Sequence, residues 1–192
     1  MAVAVMAAAA VAAAAVAAAA VVAAEPESIM FNFAWLPWKR RYDPPVDDPS
    51  TYKIAPQSAL LWAKLQSFVF DKPGADEPFS KRLAYEQKWS HDYALRVVNE
   101  YRKFIFLCMT AGHMCTPSIN VDMAWHLHLL YTRSYWDELC TQVLGKPLHH
   151  QPSDGGTSEE GKYAGLYEQT LDSYARVFGE PPADIWGRRK RP

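Results

Sequence analysis

The chain has 192 residues, and its low-complexity front end leaves room for one domain of roughly 130 to 160 residues, enough to enclose a core. With 20 Lys and Arg against 21 Asp and Glu, the formal net charge is -1; no overall field draws it to nucleic acid or an anionic membrane surface, so partners must come from local sites. Three cysteines without a CxxC spacing argue against a disulfide framework; Cys108 and Cys115 would pair only in an oxidising compartment, and reduced thiols are expected.

Residues 2 to 24 contain only Ala, Val and one Met. As a helix they would run about 34 Å, enough to cross a hydrocarbon core of about 30 Å. Ala is only weakly apolar and no positively charged start marks a secretory signal, yet Val22-Ala23-Ala24 has the small residues of a cleavage site. A membrane anchor, a cleaved targeting segment and a disordered or weakly helical Ala tract are all open readings. Lys39, Arg40 and Arg41 would hold the domain of an anchored chain on the cytoplasmic side, and without insertion the chain is expected in the cytoplasm.

Residues 25 to 55 interleave five prolines with Trp35, Trp38 and Tyr42, the pattern of an extended linker able to dock an aromatic hook on the domain. From Pro56 the period becomes helical, with Leu60, Leu61, Ala63, Leu65, Phe68 and Val69 on one face of a helix reaching Phe70. Asp71-Lys72-Pro73-Gly74 is a turn, and Ser80 is expected to cap a short helix to Lys88. Ser90 caps a longer helix whose apolar face runs from Tyr93 through Tyr101 to Cys108 and which stops near Gly112.

The next helix is expected to run unbroken from Ser118 to Val143, stopped by Gly145 and Pro147. Gly155-Gly156 is a loop, and Thr157 followed by Glu160 has the spacing of a capping box that opens a last helix to Phe178. The tail beyond Gly179 cannot continue that helix. Its final Arg188-Arg189-Lys190-Arg191 is either an import or phosphate-binding patch or a solubilising end. No strand pattern stands out. The expected fold is all-α, about five helices in one orthogonal or bundle-like domain over residues 56–186, with a basic tail at 187–192.

The residues richest in chemistry lie between Pro117 and Pro152. A helical residue advances about 100°, so Asp122 and His126 share a face, with Arg133 and Cys140 on nearly the same stripe, while His126 and His128 stand about 200° apart and cannot both hold one ion. A loop after Gly145 could turn His149 or His150 back to Cys140, a thiolate and imidazole pair that suits zinc. One site holding both His126 and Cys140 would have to span about 14 Å or more along the axis, and so needs the helix to break near Tyr135. Against metal, Asp122 would serve the helix start, His126 would be hydrogen-bonded in the core and Cys140 would pack as a small hydrophobe.

No cysteine-hydrolase signature surrounds Cys140, and phosphate-binding and dinucleotide-binding glycine loops are absent from the sequence, so no reaction class is indicated and no nucleic-acid partner is expected. The reading is a helical module that binds a protein or small-molecule ligand through Asp122, Trp125, His126, His128, Arg133 and Trp136. The alternative is a zinc-binding protein or metal-dependent enzyme with Cys140, His149 and His150 among its ligands.

Val121-Asp122, Trp125-His126, His128, the Tyr135-Trp136 pair, Cys140, and His149-His150 before Pro152 carry a resemblance to the glycine-rich domain-containing protein-like family of bacteria and plants. Pro117-Ser118 and the closing Pro181-Pro182…Ile185-Trp186 add to it, so that the likeness runs from near Leu65 to Trp186. It implies a helical domain without an established reaction, with the Asp122 to His150 block as its signature. Plant members of that family are associated with development and stress responses, carry a glycine-rich region elsewhere, and in some cases an RNA-binding domain. With nine Gly in all, this chain has no glycine-rich region, nor does it show an RNA-binding domain.

Overall fold

Ser90 and Ser118 open the two helices around which the other elements assemble. The Ser90 hydroxyl accepts the backbone N–H of Tyr93 and the Ser118 hydroxyl that of Val121, each at 3.2 Å, satisfying donors that a helix start leaves orphaned. The computed structural model describes residues 48–151 and 157–187, with the side chains of 49 and 157–162 outside that description. The Ala/Val segment, the linker up to residue 47, Gly155-Gly156, the side chains of the Thr157 capping box and the terminal basic run all lie outside the described residues.

Among the described residues every regular element is helical: α1 (Ala59–Ser67), α2 (Phe79–Gln87), α3 (His91–Thr110), α4 (Ile119–Leu130), α5 (Arg133–Leu144), α6 (Thr157–Phe178) and α7 (Ala183–Trp186), with short 3-10 turns at Pro49–Thr51 and Pro56–Ser58. The fold is all-α as expected. Seven helical segments replace the anticipated five because one expected helix is split and a short one follows Gly179. None of the described helices is long and apolar enough to cross a membrane.

The α3 helix is the hub, packing against α1, α2, α4 and α6. Val97, Tyr101, Phe104 and Ile105 are fully buried on it, and so, unusually, are Glu100 and Lys103. A helix enclosed on most sides belongs at the centre of a domain. The Lys103 ammonium donates to Glu100 at 3.0 Å, while the second Glu100 oxygen accepts the Tyr174 hydroxyl at 2.7 Å and the Trp186 indole N–H at 2.8 Å. This polar knot ties α3 to α6 and α7. Asp184 reinforces the closure by pairing with Arg96, at 2.8 Å from Nη2, and its backbone carbonyl accepts the Tyr93 hydroxyl.

Three local expectations are corrected. The first helix ends at Ser67, because Phe68 is already extended with ψ 126°, and it buries Trp62 and Leu65 while Leu60 and Val69 stand in solvent. Arg102 closes that end by donating to the carbonyls of Leu65 and Phe68, and burial lowers its pKa to about 10. Ser80 does not cap α2 but lies within it; Asp71, nine residues back, accepts its backbone N–H at 2.7 Å and its hydroxyl at 2.6 Å. In keeping with the aromatic hook expected of the linker, its end docks through Tyr52, which meets the rings of Trp62 and Phe178 at 5.6 and 5.0 Å.

The third correction matters most for function. The expected helix from Ser118 to Val143 breaks at Tyr131, whose ψ of 62° cannot continue α4, and the chain resumes as α5, a π-wound helix. In keeping with that winding, the Thr141 hydroxyl donates to the carbonyl of Trp136, five residues earlier. Tyr131 packs on Phe79 with ring centroids 5.5 Å apart, so the break is held by tertiary contact. Gly145, at φ 70°, ends α5 in the left-handed conformation that glycine adopts without strain.

Truncating one partner of a buried ion pair strands the other. Glu100→Ala should destabilise the domain by about 3 to 5 kcal/mol, whereas Glu100→Leu combined with Lys103→Met should recover much of the loss. Urea unfolding of the two variants checks this; equal instability would deny the pair its organising role.

Candidate functional site

Asp122 sits in the first turn of α4, where the helix dipole favours a carboxylate, and His126 stands one turn further on the same face. The third member comes from the loop after α5. His150 Nε2 donates to Asp122 Oδ1 at 2.8 Å, and His126 Nε2 lies 3.8 Å from Asp122 Oδ2. One ligand atom from each of the three residues lies within 4.8 Å of the others, the spacing of a group able to close on one metal ion. The His126 side chain is 47% exposed, which gives the cluster an open side, while Asp122 and His150 are half-buried or more.

What returns the loop to α4 is a relay through Tyr135. The Trp125 indole N–H donates to the Tyr135 oxygen at 2.8 Å, and the Tyr135 hydroxyl in turn donates to the backbone carbonyl of Leu148. That fixes the chain two residues before His150. The His150 ring then meets the edge of Trp125 and lies beside His126, with both centroid distances 4.5 Å. Burial pushes the Tyr135 hydroxyl well above its ordinary pKa, so it stays protonated and able to donate.

His128 faces the opposite way, as the angular argument required. Only 1% exposed, it is hydrogen-bonded to the hydroxyls of Tyr101 and Ser134, each at 3.2 Å. The rings of Phe68, Phe70, Phe79, Tyr101 and Tyr135 surround it at 5.1 to 5.8 Å. Burial lowers its pKa to about 4, against a small opposing pull from Glu138. The core-histidine role considered for His126 therefore belongs to His128. A narrow cavity of about 110 Å³ borders His128, lined by Phe70, Phe79, Tyr131 and Ser134 among others.

The remaining candidates are dispersed. Cys140 is buried, and burial raises its thiol pKa against the lowering effect of the Leu148 backbone beside it; it is not part of the converging group. His149 is exposed and lies tilted against Trp136, with ring centroids 5.7 Å apart, Trp136 itself being 37% exposed. Arg133 is exposed on α5. Sequence reasoning passed over Tyr135 as a positioning residue, although an aromatic hydroxyl within a helix heading for the core needs a partner and signals one.

Fold and cluster together define a small all-α module bearing an aspartate and two histidines on the open face of one helix and its returning loop. The chain belongs to the UCP032817-like family, whose model matches residues 64–169. It is similar to Glycine-rich domain-containing protein 1 of Arabidopsis thaliana, 24% identical over 152 residues that make up 74% of this chain and 18% of that protein. Glycine-rich domain-containing protein 2 of the same plant is 24% identical over 140 residues, 70% of this chain and 16% of its own length. The chain thus spans less than a fifth of either relative. No solved structure matches it.

The buried His128 gives a pH signature. Its folded pKa of about 4 lies below the ordinary value of about 6.5, so on acidification the unfolded chain takes up the proton first. The stabilisation is complete above the unfolded value and is lost as pH falls from about 6.5 towards 4, on the order of 3 kcal/mol at most. Urea unfolding across that range should show a stability slope that His128→Gln flattens; an unchanged slope would place the titration elsewhere.

Proposed function

We propose that this domain is a ligand-binding module whose site is a divalent transition-metal ion held by Asp122, His126 and His150. The observation that carries this reading is the approach of three ligand atoms, one carboxylate oxygen and two imidazole nitrogens, to within 4.8 Å of one another on an accessible face. Two imidazoles and a carboxylate suit zinc and other first-row ions, and zinc is the first choice for a site with few protein ligands. Binding would replace the His150 proton that now bridges to Asp122.

Three protein ligands leave at least one coordination position for water or an incoming oxygen or nitrogen donor, which is how such a site would bind a small molecule or a partner's side chain. Trp125 supports the reading from one side, since its ring limits how His150 can turn. The Tyr135 to Leu148 hydrogen bond supports it from behind, as the outer groups that orient ligands do in metal sites. Exposed His126 gives the cluster its accessible side, and Trp136 and His149, on α5 and the loop after it, would offer further contact surface.

Zinc titration of the purified full chain by calorimetry should give one equivalent per molecule. His126→Ala and His150→Ala should abolish that binding, and Tyr135→Phe should weaken it by roughly 10- to 100-fold as a positioning residue. Cys140→Ala should leave it unchanged. A well-folded parent that takes up no zinc, cobalt or iron sinks the metal reading, and zinc lost in Cys140→Ala but retained in His126→Ala would move the site to the thiol.

A further inference from the structure

On the inner side of α4, the cavity of about 110 Å³ beside His128 is walled by the rings of Phe70, Phe79 and Tyr131. Phe79 lies edge-on to Tyr131, with centroids 5.5 Å apart and planes at 73°, and Phe70 meets His128 in the same manner at 5.1 Å and 67°. Two buried polar side chains, His128 and Ser134, line it as well. Exposed Ala75 and Glu77, on the loop before α2, form part of its rim.

The hydrogen bonds around His128 run in one direction. Tyr101 is fully buried, and among the described residues its hydroxyl is hydrogen-bonded to His128 Nδ1 alone, at 3.2 Å, so its hydrogen goes there. A neutral imidazole that accepts at Nδ1 is a donor at Nε2. Nε2 therefore donates to Ser134 Oγ at 3.2 Å and fills one of the two lone pairs on that oxygen. The second lone pair is left for a further donor, while the Ser134 hydrogen has the Glu138 carboxylate to turn to.

We propose that this cavity is a binding site for a single-ring phenol, whose ring stands edge-to-face against the aromatic walls and whose hydroxyl donates to Ser134 Oγ. The size suits one ring: an apolar cavity of roughly 150 Å³ binds benzene, and this one is smaller but open at its rim. Aromatic walls favour an aromatic occupant through edge-to-face contact. Charge selects a neutral one. Arg102 and Arg82 already lie 5.0 and 5.7 Å from the ring centres of Phe70 and Tyr131, so a cationic ligand against those rings meets like charge. Lys72, also on the rim, is engaged by Glu138 at 2.7 Å, and Glu77 opposes an anion. This site does not depend on the metal cluster, and either can fail without the other.

Titrating phenol, toluene and benzylamine into the isotopically labelled full chain, followed by amide NMR shifts, tests the assignment. Phenol should saturate one site with the largest shifts at Phe79, His128 and Ser134. Toluene should bind about threefold more weakly or worse, and benzylamine should leave those resonances in place. Ser134→Ala should weaken phenol about 3- to 10-fold and leave toluene unchanged, a split that lost packing alone would not produce. Ala75→Phe, at an exposed position, should obstruct both ligands in a folded chain. No saturable phenol binding by the parent, toluene bound as tightly as phenol, benzylamine preferred to phenol, equal loss of phenol and toluene in Ser134→Ala, or phenol affinity unchanged in either variant would each overturn the inference.

Discussion

A carboxylate and an ammonium buried together cost several kcal/mol each in lost hydration, and that cost is acceptable only where further donors and a close partner offset it. In this domain the pair is Glu100 and Lys103, on the helix against which α1, α2, α4 and α6 pack. Glu100 receives hydrogen bonds from Lys103, Tyr174 and Trp186, and the Lys103 ammonium also faces the rings of Tyr52, Tyr174 and Phe178 at 5.3 to 5.6 Å. The groups that satisfy the pair come from before α1, from α6 and from α7. Apolar contact would let those elements slide; a polar centre with directional partners permits one arrangement.

The same division between inner and outer faces governs the candidate site. One helix, α4, presents His126 to solvent and His128 to the core, and the inner residue helps to decide what the outer one meets. His128 bonds to Ser134 just past the break at Tyr131, so α5 leaves at a fixed angle. Tyr135, one residue on, holds the carbonyl that returns the loop. The cluster on the surface is thus set by a histidine that never touches it.

Features with local causes were legible in the sequence. Ser90 and Ser118 cap helices because a hydroxyl at that position meets a free N–H three residues on, and Gly145 stops one because it tolerates a positive φ. Helical angles alone separated His126 from His128. The likeness to the glycine-rich domain-containing protein-like family was carried by residues most of which the family model also covers, at 64–169. Features set by distant contacts were not legible. Asp71 caps α2 across nine residues, the break at Tyr131 depends on Phe79 and Ser134, and Glu100 with Lys103 has the spacing of an ordinary surface pair. His150 meets Asp122 because the Tyr135 relay sets its loop, and no spacing in the sequence encodes that choice.

The docking of α7 has a consequence for how the domain is made. Glu100 waits for Tyr174 and Trp186, hydrogen-bond partners 74 and 86 residues further along the chain. During synthesis α3 emerges long before either, and its central carboxylate cannot be enclosed until the far end has left the ribosome. Long-range closures of this kind are slow compared with helix formation. The hub of the finished fold is therefore made well before it can be sealed.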